Sequence, residues 1–182
     1  MSRPTDIIVG GAGDRVFRCA ARYAEDLLTR HPERRVIYLT QGKRRTLLRL
    51  ASACERPNLV GHSWGAADVS WAVRKLGPVR PLGAVIGIDP VGKPGPWRPC
   101  AINARAVVSV RGTGSEGRLS DGNLTAWLGR GFGYPFPEVF KDPCALRIDA
   151  PFAHYAMTAM MRHPGPDGVS AEDVLLGRSG AA

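Results

Sequence analysis

The feature that most constrains this chain is a regular alternation of short apolar runs with amphipathic segments across residues 6–92. Four short runs are rich in valine, isoleucine and leucine: Ile7–Val9, Val36–Leu39, Leu59–Val60 and Ala84–Ile88. Apolar residues at helical spacing follow each of the first three. Continuous apolar strands that alternate with helices predict a parallel sheet covered on both faces. Two further apolar runs, Ala106–Val110 and Ala145–Ile148, bring the expected sheet to about six strands.

The length and the absence of repeats favour one folding unit. A chain of 182 residues can bury a substantial hydrophobic core. The sequence therefore predicts a single domain over residues 1–182, a three-layer α/β/α sandwich with a mainly parallel sheet. The last predicted helix covers Ala153–Arg162, and the proline- and glycine-rich tail from about residue 163 is expected to be loosely attached. The first predicted helix has an apolar face made of Val16, Ala20, Tyr23, Ala24, Leu27 and Leu28.

The sharpest local pattern is G-x-S-x-G, which occurs as Gly61-His62-Ser63-Trp64-Gly65. A predicted strand leads into it, and residues 66–76 follow it with helical character. This context is typical of a nucleophile elbow, a tight strand-to-helix turn that exposes a serine hydroxyl for attack. Ser63 is therefore the candidate nucleophile of a serine hydrolase.

A serine nucleophile needs a general base, because an unassisted hydroxyl is weakly nucleophilic at neutral pH. His154 follows the last predicted strand and is the expected base. His31 ends the first predicted helix and His163 lies in the tail, while His62, next to the serine on the turn, is expected to point elsewhere.

The base in turn needs an acid that fixes its tautomer. Asp89 lies at the carboxyl end of the strand after the elbow, where the sites of parallel sheets gather, and it is the preferred candidate. Asp121 is the main alternative and Glu116 a weaker one, since each also lies between the serine and the histidine in chain order.

Backbone N–H groups are needed to stabilise a tetrahedral intermediate. One is expected from Trp64, and the other from Gly11 or Ala12 in the glycine-rich loop after the first strand. Phosphate binding is the alternative role for this loop, although it fits neither G-x-x-x-x-G-K-[ST] nor G-x-G-x-x-G. Asp14 is expected to order the loop or to cap the following helix. No cofactor and no metal ion is expected for this chemistry.

Together these motifs resemble the α/β-hydrolase superfamily in a compact, lipase- or esterase-like form, over residues 6 to about 162. The elbow is similar to lipase elbows, and Gly87–Gly92 resembles the strand end where pancreatic-type lipases carry their acid, which supports Asp89. The segment Ile8–Asp14, taken with Asp89–Val91, also looks like small bacterial lipase or phospholipase effectors of contact-dependent secretion systems. Most superfamily members carry the acid after the next strand, which keeps Asp121 open.

The resemblance implies a minimal hydrolase fold without a large cap domain, in which residues 112–133 or 134–140 form a small cover. The implied activity is hydrolysis of a carboxylic ester through an acyl-enzyme, with a lipid or another hydrophobic ester as substrate. A thioesterase, a phage cell-envelope esterase and a catalytically inactive binding protein of the same fold are the alternatives. Apolar contact surface is expected from Trp64, Trp71, Trp97, Trp127 and the loop 132–140.

Charge and the N-terminus bear on partners and location. The net charge of +9 favours an anionic membrane surface as a partner. Apart from Lys43-Arg44-Arg45 the basic residues are scattered, with no accompanying aromatic stripe, so nucleic acid is not expected. Met1–Asp6 lacks the apolar core of a signal peptide, which predicts a cytoplasmic location or export without a cleaved signal peptide.

The four cysteines show no C-x-x-C pair, so their spacing predicts neither a zinc motif nor a redox motif. Cys19 and Cys54 fall in predicted helices. Both are expected to be small buried side chains.

Overall fold

A computed structural model of the chain describes residues 3–92, 100–114, 136, 140 and 145–178. In this part of the chain, six strands form one sheet in which every neighbouring pair runs parallel. The strands are β1 (Thr5–Val9), β2 (Arg35–Leu39), β3 (Asn58–His62), β4 (Pro81–Ile88), β5 (Asn103–Gly112) and β6 (Leu146–Ala150), in the order β2-β1-β3-β4-β5-β6. The predicted α/β fold with a parallel sheet of about six strands is confirmed.

The described helices are α1 (Asp14–Phe17), α2 (Cys19–Arg30), α3 (Arg44–Ala53), α4 (Trp64–Leu76), α5 (Met157–Arg162) and α6 (Ala171–Leu176). Alternate strand positions contribute to two separate clusters of buried side chains, as the two-residue period of a strand requires. One cluster joins Ile8 and Val60 to side chains of α2, α5 and α6. The other joins Ile7 and Leu59 to side chains of α3 and α4. None of the described helices has both the length and the apolar character that a membrane span requires.

The strand order reverses between β1 and β3. From β1 the chain crosses to β2 on one side and then returns to place β3 on the other side of β1. The loops that follow β1 and β3 therefore leave the same edge of the sheet side by side. In open parallel sheets, ligands bind at the carboxyl ends of the strands at such a switch point. The glycine-rich loop after β1 and the turn after β3 meet there.

The first predicted helix is interrupted in the structure. Arg18 has φ 54°, and this left-handed residue separates α1 from α2. The carboxylate of Asp14 accepts a hydrogen bond of 2.7 Å from the N–H of Ala20, so it caps the new helix across the break. Because α1 turns away, Val16 is 79% exposed instead of buried, and Leu28 at the far end of α2 is also exposed.

The tail is packed against the rest of the fold as far as residue 178, contrary to the expectation of loose attachment. Ser170 and Asp173 form a reciprocal capping box at the start of α6. Leu175 in this helix is 1% exposed, and Glu172 forms an ion pair of 2.9 Å with Arg30. Proline and glycine residues precede α6 and glycine residues follow it, so the composition of the tail concealed the short helix between them.

Candidate active site

Ser63 lies in a strained turn between β3 and α4. Its φ of 54° and ψ of −128° fall in a region that residues other than glycine rarely occupy. The N–H of Ser63 donates to the carbonyl of Ile88 at 2.9 Å, and its own carbonyl accepts from the N–H of Ala66 at 3.0 Å. These main-chain bonds hold the serine at the carboxyl end of the sheet, on the first turn of α4.

Close packing requires the two glycines of the motif. A Cβ atom on Gly65 would lie 2.8 Å from the carbonyl oxygen of Gly10 and closer still to that of Val9. A Cβ atom on Gly61 would lie 2.5 Å from the Cα of Ala66. These neighbours are backbone atoms, which move only if β1 or α4 moves. The absence of side chains therefore lets the first turn of α4 approach the end of β1.

Ser63, His154 and Asp89 form a hydrogen-bonded chain. The Oγ of Ser63 lies 2.9 Å from Nε2 of His154, and Nδ1 of His154 lies 2.6 Å from Oδ2 of Asp89. Because the carboxylate accepts a hydrogen bond from Nδ1–H, the lone pair of Nε2 is free to accept the proton of the serine hydroxyl. The three residues are 2%, 2% and 4% exposed, so bulk water hardly competes for these bonds. The arrangement joins a hydroxyl to a base and the base to an acid.

Asp89 is held by the backbone that surrounds it. It follows β4 with φ 39°, and its Oδ1 accepts a hydrogen bond of 3.3 Å from the N–H of Gly112 at the end of β5. The structure thus brings Asp89 to His154. The two other acids considered from the sequence, Asp121 and Glu116, lie outside the described residues.

His62 points to the main chain of His154 and not to the serine hydroxyl. Its Nε2–H donates to the carbonyl oxygen of His154 at 2.8 Å, and the two rings lie 4.9 Å apart. Burial lowers the pKa of His62 to about 4, and the nearby His154 acts in the same direction. His62 is therefore neutral at neutral pH and anchors the backbone of the candidate base.

A second cluster of buried polar groups adjoins the elbow. Asp14 accepts a hydrogen bond of 2.9 Å from the thiol of Cys19 and another from the hydroxyl of Tyr38, while Sγ of Cys19 lies 3.5 Å from Nδ1 of His62. Burial alone would raise the pKa of Asp14, but its hydrogen-bond donors outweigh burial and lower it. Burial and the Asp14 carboxylate raise the pKa of Cys19 to about 12. Cys19 and His62 are 43 positions apart, so no local spacing could reveal this cluster.

The loop after β1 lies directly against Ser63. A Cβ atom on Gly11 would be 2.6 Å from Cβ of Ser63 and 3.1 Å from its Oγ. Trp64 begins α4, so its N–H has no acceptor within the helix and lies at the positive end of the helix dipole. The structure therefore brings Gly11 and Trp64 to the serine, with Ala12 next in the same loop. Their role as donors to a substrate oxygen stays a prediction.

The described rim of this site carries exposed apolar side chains on α1. The ring of Phe17 stacks on that of Tyr155, with centroids 4.3 Å apart, and Tyr155 directly follows His154. Val16 is 79% exposed and Phe17 49% exposed. The apolar surface of α1 is therefore connected to His154 through the ring of Tyr155.

Most of the aromatic residues expected to form apolar contact surface are packed in the core or lie outside the described residues. Phe136 and Phe140 are buried and pack edge to face, with centroids 5.1 Å apart, in the cluster that faces α3 and α4. Trp71 packs against the same cluster, beneath the guanidinium of Arg44. Trp97, Trp127 and most of the expected cover, residues 115–135, lie outside the described residues.

Comparison with protein families found no family that matches this chain. Comparison with curated proteins also found no match.

Replacement of Gly65 by alanine is expected to destabilise the fold, because the new methyl group meets the backbone oxygens of Val9 and Gly10. The free energy of unfolding should fall by about 1–3 kcal/mol or more, the usual cost of overpacking. Urea unfolding followed by circular dichroism measures this change. Gly13→Ala is the control, because the atoms nearest its Cβ atom would belong to side chains, the half-exposed ring of Phe17 and the hydroxyl of Tyr155, which can move more easily than the backbone of β1. Equal destabilisation by the two variants would contradict the packing argument.

Proposed function

We propose that this protein is a serine hydrolase that cleaves carboxylic esters through an acyl-enzyme. The observation that carries the proposal is the continuous chain from Ser63 Oγ through His154 to Asp89, with bonds of 2.9 and 2.6 Å. The elbow between β3 and α4 of a parallel sheet supports assignment to the α/β-hydrolase superfamily in a compact form.

In the first half of the proposed reaction, Ser63 Oγ attacks the ester carbonyl carbon while its proton moves to Nε2 of His154. Asp89 stabilises the resulting imidazolium through the Nδ1–H bond and remains ionised. The tetrahedral intermediate collapses, the bond to the alcohol breaks, and the alcohol leaves with the proton from Nε2. The acyl group remains bonded to Ser63.

In the second half, water attacks the acyl carbon and gives a proton to Nε2 of His154. The bond to Ser63 Oγ then breaks, the serine recovers this proton, and the carboxylic acid leaves. In both halves the negative oxygen needs fixed N–H donors. Trp64 supplies one, and Gly11 or Ala12 supplies the other from the loop against the serine.

The rim of the site favours a lipid or another hydrophobic ester as the substrate. Val16 and Phe17 expose apolar surface on α1, and Phe17 stacks on Tyr155, whose ring contacts that of His154. An acyl chain or a lipid surface would bury this apolar surface. Arg15 and Arg18 flank these two residues, and the net charge of the chain is +9. This combination suits an anionic membrane surface. Location in the cytoplasm, or export without a cleaved signal peptide, stays a prediction.

The geometry supports turnover over a purely binding role. A serine held at positive φ and bonded to a buried histidine–aspartate pair is costly to maintain, and such strain clusters at active sites. A thioesterase or a cell-envelope esterase would use the same groups. A panel of oxygen esters and thioesters with different acyl chains and head groups separates these activities.

Removal of any of the three groups is expected to reduce hydrolysis of p-nitrophenyl esters sharply. Ser63→Ala and His154→Ala should lower kcat by roughly 10³–10⁶-fold, because the nucleophile or its base is lost. Asp89→Asn should lower kcat by roughly 10²–10⁴-fold, because the histidine tautomer is no longer fixed. Initial rates at saturating ester measure these losses.

Two variants outside the chain of three residues serve as controls for those measurements. His31→Ala removes a histidine at the end of α2, and Asp149→Asn removes an exposed carboxylate in β6. Both should keep kcat within about twofold of the wild type, because Asp149 is exposed and His31 pairs with Glu33 and not with the three residues. Asp121→Asn should behave like these controls. Full activity of Ser63→Ala would refute the proposal, and a larger loss from Asp121→Asn than from Asp89→Asn would overturn the acid assignment.

The exposed apolar side chains of α1 are expected to affect the hydrolysis of esters in vesicles but not the hydrolysis of soluble esters. Val16→Asp should lower hydrolysis of an ester carried in anionic vesicles by roughly tenfold or more, because it removes apolar contact and adds like-charge repulsion. Hydrolysis of soluble p-nitrophenyl acetate should stay within twofold. Val79→Asp is the matched control, since Val79 is 88% exposed and precedes β4, at the opposite edge of the sheet. Equal losses for both variants on vesicles would contradict a lipid-contacting role for α1.

A further inference from the structure

Asp14, Cys19 and His62 place three different metal-ligating atoms in one buried cluster. A carboxylate oxygen, Sγ and Nδ1 lie within 4.8 Å of one another, and the three residues are 2%, 8% and 1% exposed. From these donors we propose a binding site for a divalent transition-metal ion, with Zn²⁺ as the preferred occupant. This inference is independent of the proposed hydrolase activity.

The spacing of the donor atoms fits a tetrahedral ion after small movements. Sγ of Cys19 lies 2.9 Å from Oδ1 of Asp14 and 3.5 Å from Nδ1 of His62. Zinc bonds of about 2.0–2.3 Å place tetrahedral ligand atoms roughly 3.3–3.8 Å apart. The Cys19–His62 separation already has this length, and the Cys19–Asp14 separation lengthens by less than about 1 Å when a cation replaces the thiol proton. The third separation, between Asp14 and His62, is at most 4.8 Å and shortens to the same range on binding.

The orientation of His62 matches that of a metal ligand. Its Nε2–H donates to the carbonyl of His154 at 2.8 Å, which leaves the lone pair of Nδ1 directed at Cys19 and Asp14. Metal-bound histidines usually donate their other N–H to a carbonyl or a carboxylate in this way. Asp14 is oriented in the same manner by the hydroxyl of Tyr38 and the N–H of Ala20.

Charge balance favours a divalent ion at this position. Without metal, the carboxylate of Asp14 is the charged member of the set, beside a protonated thiol and a neutral imidazole. On binding, the ion forms bonds to Oδ, Sγ and Nδ1, and the single proton of Cys19 leaves to solvent. The carboxylate and the thiolate together then carry two negative charges, which neutralise the cation inside the protein.

The chemistry of the three ligand atoms favours zinc, and a neighbouring cleft lets an ion approach them. Thiolate and imidazole ligands disfavour Mg²⁺ and Ca²⁺, which bind through oxygen, and they suit Zn²⁺. A cleft of about 510 Å³ is lined by Asp14 and Tyr38 and gives a route from solvent. Arg15 and Arg18 also line this cleft, together with Glu25, and Glu25 forms an ion pair with Arg18 that offsets one of the two positive charges.

The test is titration of the full, chelator-treated chain with Zn²⁺ by calorimetry, together with Co²⁺ as a spectroscopic probe. The wild type should bind one Zn²⁺ with release of about one proton and a rise in Tm. Bound Co²⁺ should show a thiolate-to-metal charge-transfer band in the near ultraviolet. Cys19→Ser keeps a hydroxyl donor for Asp14 but should lose this band and weaken Zn²⁺ binding by at least tenfold.

Cys54→Ser is the matched control, because Cys54 is a free cysteine at the end of α3, outside the cluster. It should retain wild-type affinity and the cobalt band. Unchanged Zn²⁺ binding in Cys19→Ser would overturn the proposal, since the ion would then sit elsewhere. If circular dichroism shows that Cys19→Ser does not fold, the cobalt spectrum of the wild type becomes the test. A wild-type spectrum without a thiolate-to-metal band would then overturn the proposal.

Discussion

The close contact between Gly65 and the carbonyl groups at the end of β1 is the constraint on which the candidate site depends. Because no side chain intervenes, the first turn of α4 approaches the β1 end, and Ser63 comes to lie against Gly11. The reversal of strand order between β1 and β3 creates the space in which these two loops meet. The absence of a side chain at Gly65 and the order of the strands together place Ser63 between the backbone of Gly11 and the first N–H of α4.

Backbone strain is concentrated at the same place. Within the described part of the chain, the residues other than glycine with positive φ are Arg18, Ser63 and Asp89. Such conformations cost about 1–3 kcal/mol each and persist where surrounding structure determines them. At Ser63 the surrounding bonds come from Ile88 and Ala66, and at Asp89 the neighbouring strand end supplies Gly112. The rigid ends of β3, β4 and β5 thus hold two of these residues in hydrogen-bonded reach of one histidine.

Much of this arrangement was predictable because it depends on short-range patterns. Alternating strands and helices predicted the parallel sheet, and Ser63, Asp89 and His154 each follow a strand whose apolar pattern is plain. Chain order alone allowed both Asp89 and Asp121 as the acid. The contact between Asp89 and His154 could not be read from chain order, since it requires β4 and β6 to align on either side of β5.

Other features depend on contacts that no local pattern records. The apolar pattern of the sequence continues across Arg18 without a glycine or proline, so periodicity predicted one continuous helix where the structure has a break. Helix α6 follows a stretch of proline and glycine, and its attachment depends on the burial of Leu175 in the core and on the ion pair between Glu172 and the distant Arg30. The cluster around Cys19 and His62 likewise joins residues 43 positions apart through the packing of α2 against the sheet.

The central claim is that His154 activates Ser63 as a nucleophile, and covalent labelling by a fluorophosphonate probe tests it most directly. Peptide mass spectrometry of the labelled chain should find the adduct on Ser63 and on no other serine. His154→Ala should abolish rapid labelling while Ser63 remains present, because the hydroxyl has lost its base. An unlabelled wild type, an adduct at another residue, or labelling of His154→Ala at the wild-type rate would contradict the account.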